Sequence, residues 1–161
     1  MARVNCDPYE GGHLFALVNR VTCLFDREDE VMAAVRALEE DGVAPDDIDV
    51  FVGEQGARCL DLSGSGHGRA VRLLRSLEDA MADMGETNRR IDDALRRGAT
   101  LLCVKLHKKP LIHQDDNGGI HIALFERLSD EKARALRVLK AVHAHDIHYW
   151  GPLSVEDVPS A

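Results

Sequence analysis

Hydrophobic positions change period several times along the chain, and each change marks an element. The run HLFALVNRVTCLF at 13–25 is almost continuously apolar and reads as a strand, or as two strand pieces interrupted at Asn19 and Arg20. Val31, Ala34, Val35 and Leu38 then recur at helical spacing. Asp26 stands where an N-cap is expected, and Glu28, Asp29 and Glu30 fall in the first turn, where negative charge suits the positive end of the helix. Gly42 is expected to end this helix in the left-handed conformation. A turn, APDD, leads to a short strand at 48–52.

A glycine-rich loop, DLSGSGHG at 61–68, precedes a second helical stripe of Ala70, Leu73, Leu74, Leu77, Met81 and Met84. Gly85 interrupts the stripe, and Ile91 and Leu95 carry it to a second stop at Gly98. The segment ATLLCVKLH predicts a strand with a fully buried centre at 101–104. DDNGG at 115–119 predicts a hairpin turn between LIH and GIHIALFE. Ser129 is the expected N-cap of a further helix whose core face is Leu136, Leu139 and Val142. A strand at 147–150 closes the pattern, and 152–161 reads as a turn followed by a disordered tail.

The segments at 24–53 and 124–151 share one layout: Leu-Phe-acid, a helix, then a short Ile-containing strand ending at Gly. Two strand–helix–strand units in one chain predict an α+β fold, the ferredoxin-like split βαβ sandwich, with a helical insertion between the halves and an added β-hairpin. The expected organisation is an N-terminal segment, 1–12, one domain at 13–151, and a tail, 152–161. Within the domain lie the glycine-rich loop and helical insertion at 54–98 and the hairpin at 108–126.

A chain of 161 residues suits one domain with a real core. The net charge of -8 argues against nucleic acid, since phosphate-backbone binding needs a cationic surface. No stretch reaches the ~20 apolar residues of a membrane span. Cys6, Cys23, Cys59 and Cys103 are widely spaced with no C-x-x-C, as expected of free thiols in a reducing cytoplasm.

One family resemblance emerges. Gly53, Gly56, Leu60, Asp61, Gly64, His67, Gly68 and Gly98, with His145 and Asp146 at a late AHD turn, follow the order of motifs in the bacterial domains called general stress or heat-induced stress proteins. The chain resembles that family over roughly residues 21–158. The resemblance implies a small cytosolic protein associated with stress, and it implies no activity. The stretch from 108 to about 119 departs from the pattern, which leaves open whether 99–107 or 120–126 takes the third-strand place.

The candidate ligand site is the glycine-rich loop: Gly64, Ser65, Gly66, His67, Gly68, Arg69 and Arg72. It lacks the Lys-Ser/Thr of a P-loop and the spacing of a dinucleotide fingerprint. Backbone amides at the start of the following helix, with Arg69 and Arg72, would suit a small anion. His113 and His121 flank the hairpin turn as a candidate metal pair whose geometry depends on register. His143, His145 and His148 lack the spacing that puts two ligands on one helix turn, and His145 is expected at a helix C-cap. The runs at Arg89-Arg90, Arg96-Arg97 and 105–109 read as solvated faces. The expectation is thus a non-enzymatic protein without a cofactor that binds a partner or a small anion and forms a homodimer through the hairpin. The alternative is an enzyme or a metal or anion sensor centred on His67, Arg69 and Arg72.

Overall fold

Strand β1 (Arg20–Phe25) is buried at all six positions, and β3 (Thr100–Lys105) is buried at every position but Lys105. A strand with one wet face would alternate, so both faces of this sheet are covered. The computed structural model describes residues 19–60, 84–107, 112–114, 120–122, 130–151 and 155–159. Its mixed α+β architecture has a five-stranded antiparallel sheet. The order is β2-β3-β1-β6-β7, where β2 is Ile48–Val52, β6 is His145–Trp150 and β7 is Val155–Val158. β4 (Ile112–Gln114) and β5 (Ile120–Ile122) pair separately as the expected hairpin. The open question of the third strand is therefore resolved in favour of 100–105, which pairs with both β1 and β2.

Four helices among the described residues supply the covers. Val21, Cys23 and Phe25 of β1 pack with α1 (Glu28–Glu40) through Val31, Ala34, Val35 and Leu38. The same layer takes Ala135, Val138 and Leu139 of α4 (Asp130–Ala141). On the other face, Leu24, Phe51, Leu101 and Trp150 meet α2 (Gly53–Leu60) and α3 (Met84–Arg96) through Ala57, Leu60, Ile91 and Leu95. The helical insertion expected at 54–98 thus contributes a second cover to the sheet. Each fully buried aliphatic or aromatic side chain contributes about 1.5–3 kcal/mol.

Several boundaries differ from expectation. Arg27, not Asp26, is the N-cap of α1, with extended backbone and no side-chain cap bond; its guanidinium binds Asp29 instead. Gly85 is the second residue of α3, and the stripe expected before it, from Ala70 to Met81, lies outside the described residues. The tail contains β7, which pairs with β6 where irregular chain was expected; its four residues are too few for a periodic signal. His145 opens β6 rather than capping a helix.

The C-terminal ends of α1, α3 and α4 share one geometry. After α1, Gly42 N–H donates to Glu39 O and Val43 N–H to Leu38 O. After α3, Gly98 and Ala99 repeat this with Leu95 and Ala94. After α4, His143 and Ala144 repeat it with Lys140 and Leu139. These are Schellman ends, which need a left-handed residue. Gly42 and Gly98 supply it at φ 93° and 100°; His143 takes φ 60°. Gly56 answers a different constraint, because a Cβ there would lie 2.7 Å from the carbonyl carbon of Phe51. His143→Gly is expected to stabilise the fold by up to about 1 kcal/mol, and Gly56→Ala to destabilise it by about 1–3 kcal/mol. Urea unfolding midpoints moving in opposite directions check both.

Cys23 and Cys103 lie on opposite faces of the sheet, both completely buried. Burial pushes the Cys23 thiol up, with Cys103 adding to it. Burial likewise pushes Cys103 up to about 12, partly opposed by Arg20. The folded pKa values exceed that of an unfolded thiol, about 8.5. The neutral thiols therefore contribute stability that is complete below that value and is lost as pH rises towards the folded values. Native protein at pH 8 should leave both cysteines unalkylated by iodoacetamide, as peptide mass mapping would show. Unfolding free energy should fall from about pH 9 upward, and Cys103→Ala should make the fall shallower.

Candidate functional site

Next to the apolar packing of α2 and α3, one complete rung of the sheet is polar. Asp49, Cys103, Thr22, His148 and Asp157 are successive register partners across β2, β3, β1, β6 and β7. Direct cross-strand partners share a face, so all five project to the same side. All but Asp157 are buried. Such burial is tolerated only with partners. Arg20 Nη1 donates to Asp49 Oδ2 at 2.7 Å, and Trp150 Nε1 donates to Thr22 Oγ1 at 2.8 Å. Leu60, at the end of α2, shares the apolar cluster of Cys103 and Trp150.

His148 is the exception to full satisfaction. Its side chain is 2% exposed and lies between two carboxylates. Nδ1 is 2.7 Å from Asp157 Oδ1 and Nε2 is 3.4 Å from Asp146 Oδ1. Neither contact is aligned as a hydrogen bond. β7 is held from the other side too: Lys132 Nζ, buried against the Tyr149 ring at 3.8 Å, binds Glu156 at 2.7 Å.

Asp146 owes its place to a bulge. Thr22 pairs with His148 but Leu24 pairs with His145, so β6 carries one extra residue there. Asp146 takes φ 52°, a left-handed conformation that Asp tolerates better than most side chains. Bulges re-aim side chains. Here the carboxylate meets the Arg90 guanidinium of α3.

Beside this ion pair opens a cleft of about 640 Å³. Arg90, Asp93 and Ala94 of α3 line it together with Arg97, the residue directly after the helix, at spacings of three, four and seven residues from Arg90. Gly98 and Ala99, Leu24 of β1 with Asp26 after it, and His145 with Asp146 complete the described wall. His145 Nε2 is 3.5 Å from Asp26 Oδ2, without a hydrogen bond. Arg97 and Asp93 form no ion pair with one another or with any other described residue, although i,i+4 spacing allows one.

The residues expected to form the site fall unevenly. Gly64, Ser65, Gly66, His67, Gly68, Arg69 and Arg72 lie outside the described residues. His113 and His121 are direct cross-strand partners in the hairpin, which settles their register. Among the described residues no group of three or more His, Cys, Asp or Glu side chains is placed to hold a metal. Arg90 and Arg97 are exposed, as expected of a solvated face, and both also line the cleft. The signal that marks them is their seven-residue spacing, which puts both on one side of α3. No helix among the described residues is long and apolar enough to cross a membrane. No family model matches this chain, and no curated protein or solved structure matches it.

Proposed function

We propose that this protein is a non-enzymatic binding domain that takes a small oxyanion, a carboxylate or a phosphate, in the cleft between α3 and the start of β6. The observation that carries this reading is the pair of guanidinium groups on one side of α3. Arg97 has no ion-pair partner among the described residues, and Arg90 spends a single donor on Asp146. Arginine offers five N–H donors in a fixed fork that fits planar or tetrahedral oxyanions. Asp26, Asp93 and Asp146 also line the cleft, so an extended polyanion would meet repulsion, and a single compact oxyanion fits better.

The ferredoxin-like plan belongs to the same reading. The order β2-β3-β1-β6, all antiparallel, with α1 following β1 and α4 preceding β6, supports two interleaved strand–helix–strand units. The insertion carrying α2 and α3 then builds one wall of the cleft. The stress association and cytoplasmic setting rest on the motif resemblance. Three of its residues, Gly98, His145 and Asp146, line the cleft, and Gly53 N–H donates to Ala99 O at 3.0 Å just beside it. A homodimer through the hairpin follows from the separateness of β4 and β5, because a two-stranded sheet is marginal until it packs on something.

Titration of the full chain with inorganic phosphate, followed by amide NMR shifts, tests the reading. Shifts confined to α3, residues 98–99 and the start of β6 are expected to saturate in the millimolar range. Arg97→Gln should weaken binding by about two- to fivefold, the worth of a partly exposed ion pair. Absence of saturable shifts in these segments would remove the cleft as an oxyanion site.

A further inference from the structure

We propose that Asp146 is a resident competitor for the cleft's ligand: its carboxylate occupies the Arg90 guanidinium in the ligand-free protein, and an incoming oxyanion displaces it towards His148. This rests on the reading of the cleft as an oxyanion site and adds the device that regulates it.

Arg90 binds Asp146 through one nitrogen and one oxygen, not through a two-point fork. Bidentate pairing is the stronger arrangement, so the contact is one that a ligand oxyanion using both sides of the guanidinium can outcompete. The displaced carboxylate has somewhere to go. Asp146 Oδ1 already lies 3.4 Å from His148 Nε2. That ring is 2% exposed and has no aligned hydrogen bond at either nitrogen. A small side-chain rotation of Asp146 brings its oxygen into line with Nε2, satisfying a buried polar atom that the Arg90 pairing leaves unsatisfied. Asp157 Oδ1 lies 2.7 Å from Nδ1 on the far side of the ring, also without an aligned hydrogen bond, and the ring receives the Asp146 carboxylate when Nε2 carries a proton. The exchange is between two side-chain partners of one carboxylate, carried on a left-handed residue within the bulge.

Asp146→Asn isolates the device. Asn accepts the left-handed backbone as readily as Asp, so the bulge persists while the competing charge disappears. Phosphate titrations of full-length wild type, Asp146→Asn, Arg90→Gln and His148→Gln, with amide spectra confirming each fold, decide the matter. Asp146→Asn is expected to bind phosphate about two- to fivefold tighter than wild type. Arg90→Gln should bind more weakly. His148→Gln should also weaken binding, but it should have no effect when combined with Asp146→Asn, because the carboxylate it would receive is gone. Binding by Asp146→Asn alone, with none by wild type, also supports the competitor. If wild type binds and Asp146→Asn binds equally or more weakly, the competitor is overturned while the oxyanion site stands. If no variant binds phosphate, the oxyanion site falls and the competitor with it.

Discussion

The pairing of β1 between β3 and β6 is the constraint from which the rest of the structure follows. β1 is hydrogen-bonded on both edges and covered on both faces. Every departure from regular pairing along it is therefore transmitted to a neighbour. The one departure is the extra residue of β6 opposite the segment from Thr22 to Leu24. α3 packs Ile91 and Leu95 with Leu24 in the second layer, while its Arg90, and Arg97 directly after it, flank the bulge. The cleft exists because a helix packed on regular sheet overhangs the point at which the sheet stops being regular.

The polar rung gives the sheet a second kind of order. Burying Arg20 and Asp49 costs several kcal/mol per ion before their attraction is counted, so such a pair is a poor source of stability by itself. Its effect on register is larger. A one-residue slip of β2 would turn Asp49 towards the layer that holds Val35 and Leu38, and turn Val50 towards Arg20. The same holds for Thr22, which receives the Trp150 indole, and for His148 between its carboxylates. Five strands are thus indexed to one another by one row of side chains with only one satisfactory alignment, while the apolar rows on either side supply the free energy.

What could be read from the chain alone follows the same division. Elements with periodic or continuous burial were legible: the α1 stripe of Val31, Val35 and Leu38, the strand at 48–52, and the unbroken apolar run at the centre of β3. Glycine stops at 42 and 98 were legible because a left-handed Schellman residue is usually Gly. His143 hid the third stop by taking the same conformation without being glycine. β7 was illegible because VEDV carries no alternation; its residues are held by Lys132 and His148, which lie 24 and nine positions earlier. The cleft was illegible for a related reason. Arg90 and Arg97 are surface charges, and that they share a cleft with the start of β6 depends on a long-range contact no local pattern encodes. His145 and Asp146 were singled out as an AHD turn, but their chemistry depends on a bulge visible only in the pairing.

That turn has its own logic. α4 ends with left-handed His143, and three residues later Asp146 is left-handed again. Two such residues in four swing the chain from the helix into β6 and raise the side chain of Asp146 out of the strand's alternation. Glycine would adopt either conformation with less strain, and Gly42, Gly53 and Gly98 do so elsewhere in this chain. Asp at 146 accepts the backbone cost, on the order of 1 kcal/mol, and places a carboxylate between a guanidinium on the cleft wall and a buried imidazole. A turn needs no charge to reverse direction. The charge gives this position two polar partners, a guanidinium and an imidazole, that Gly in the same backbone conformation would lack.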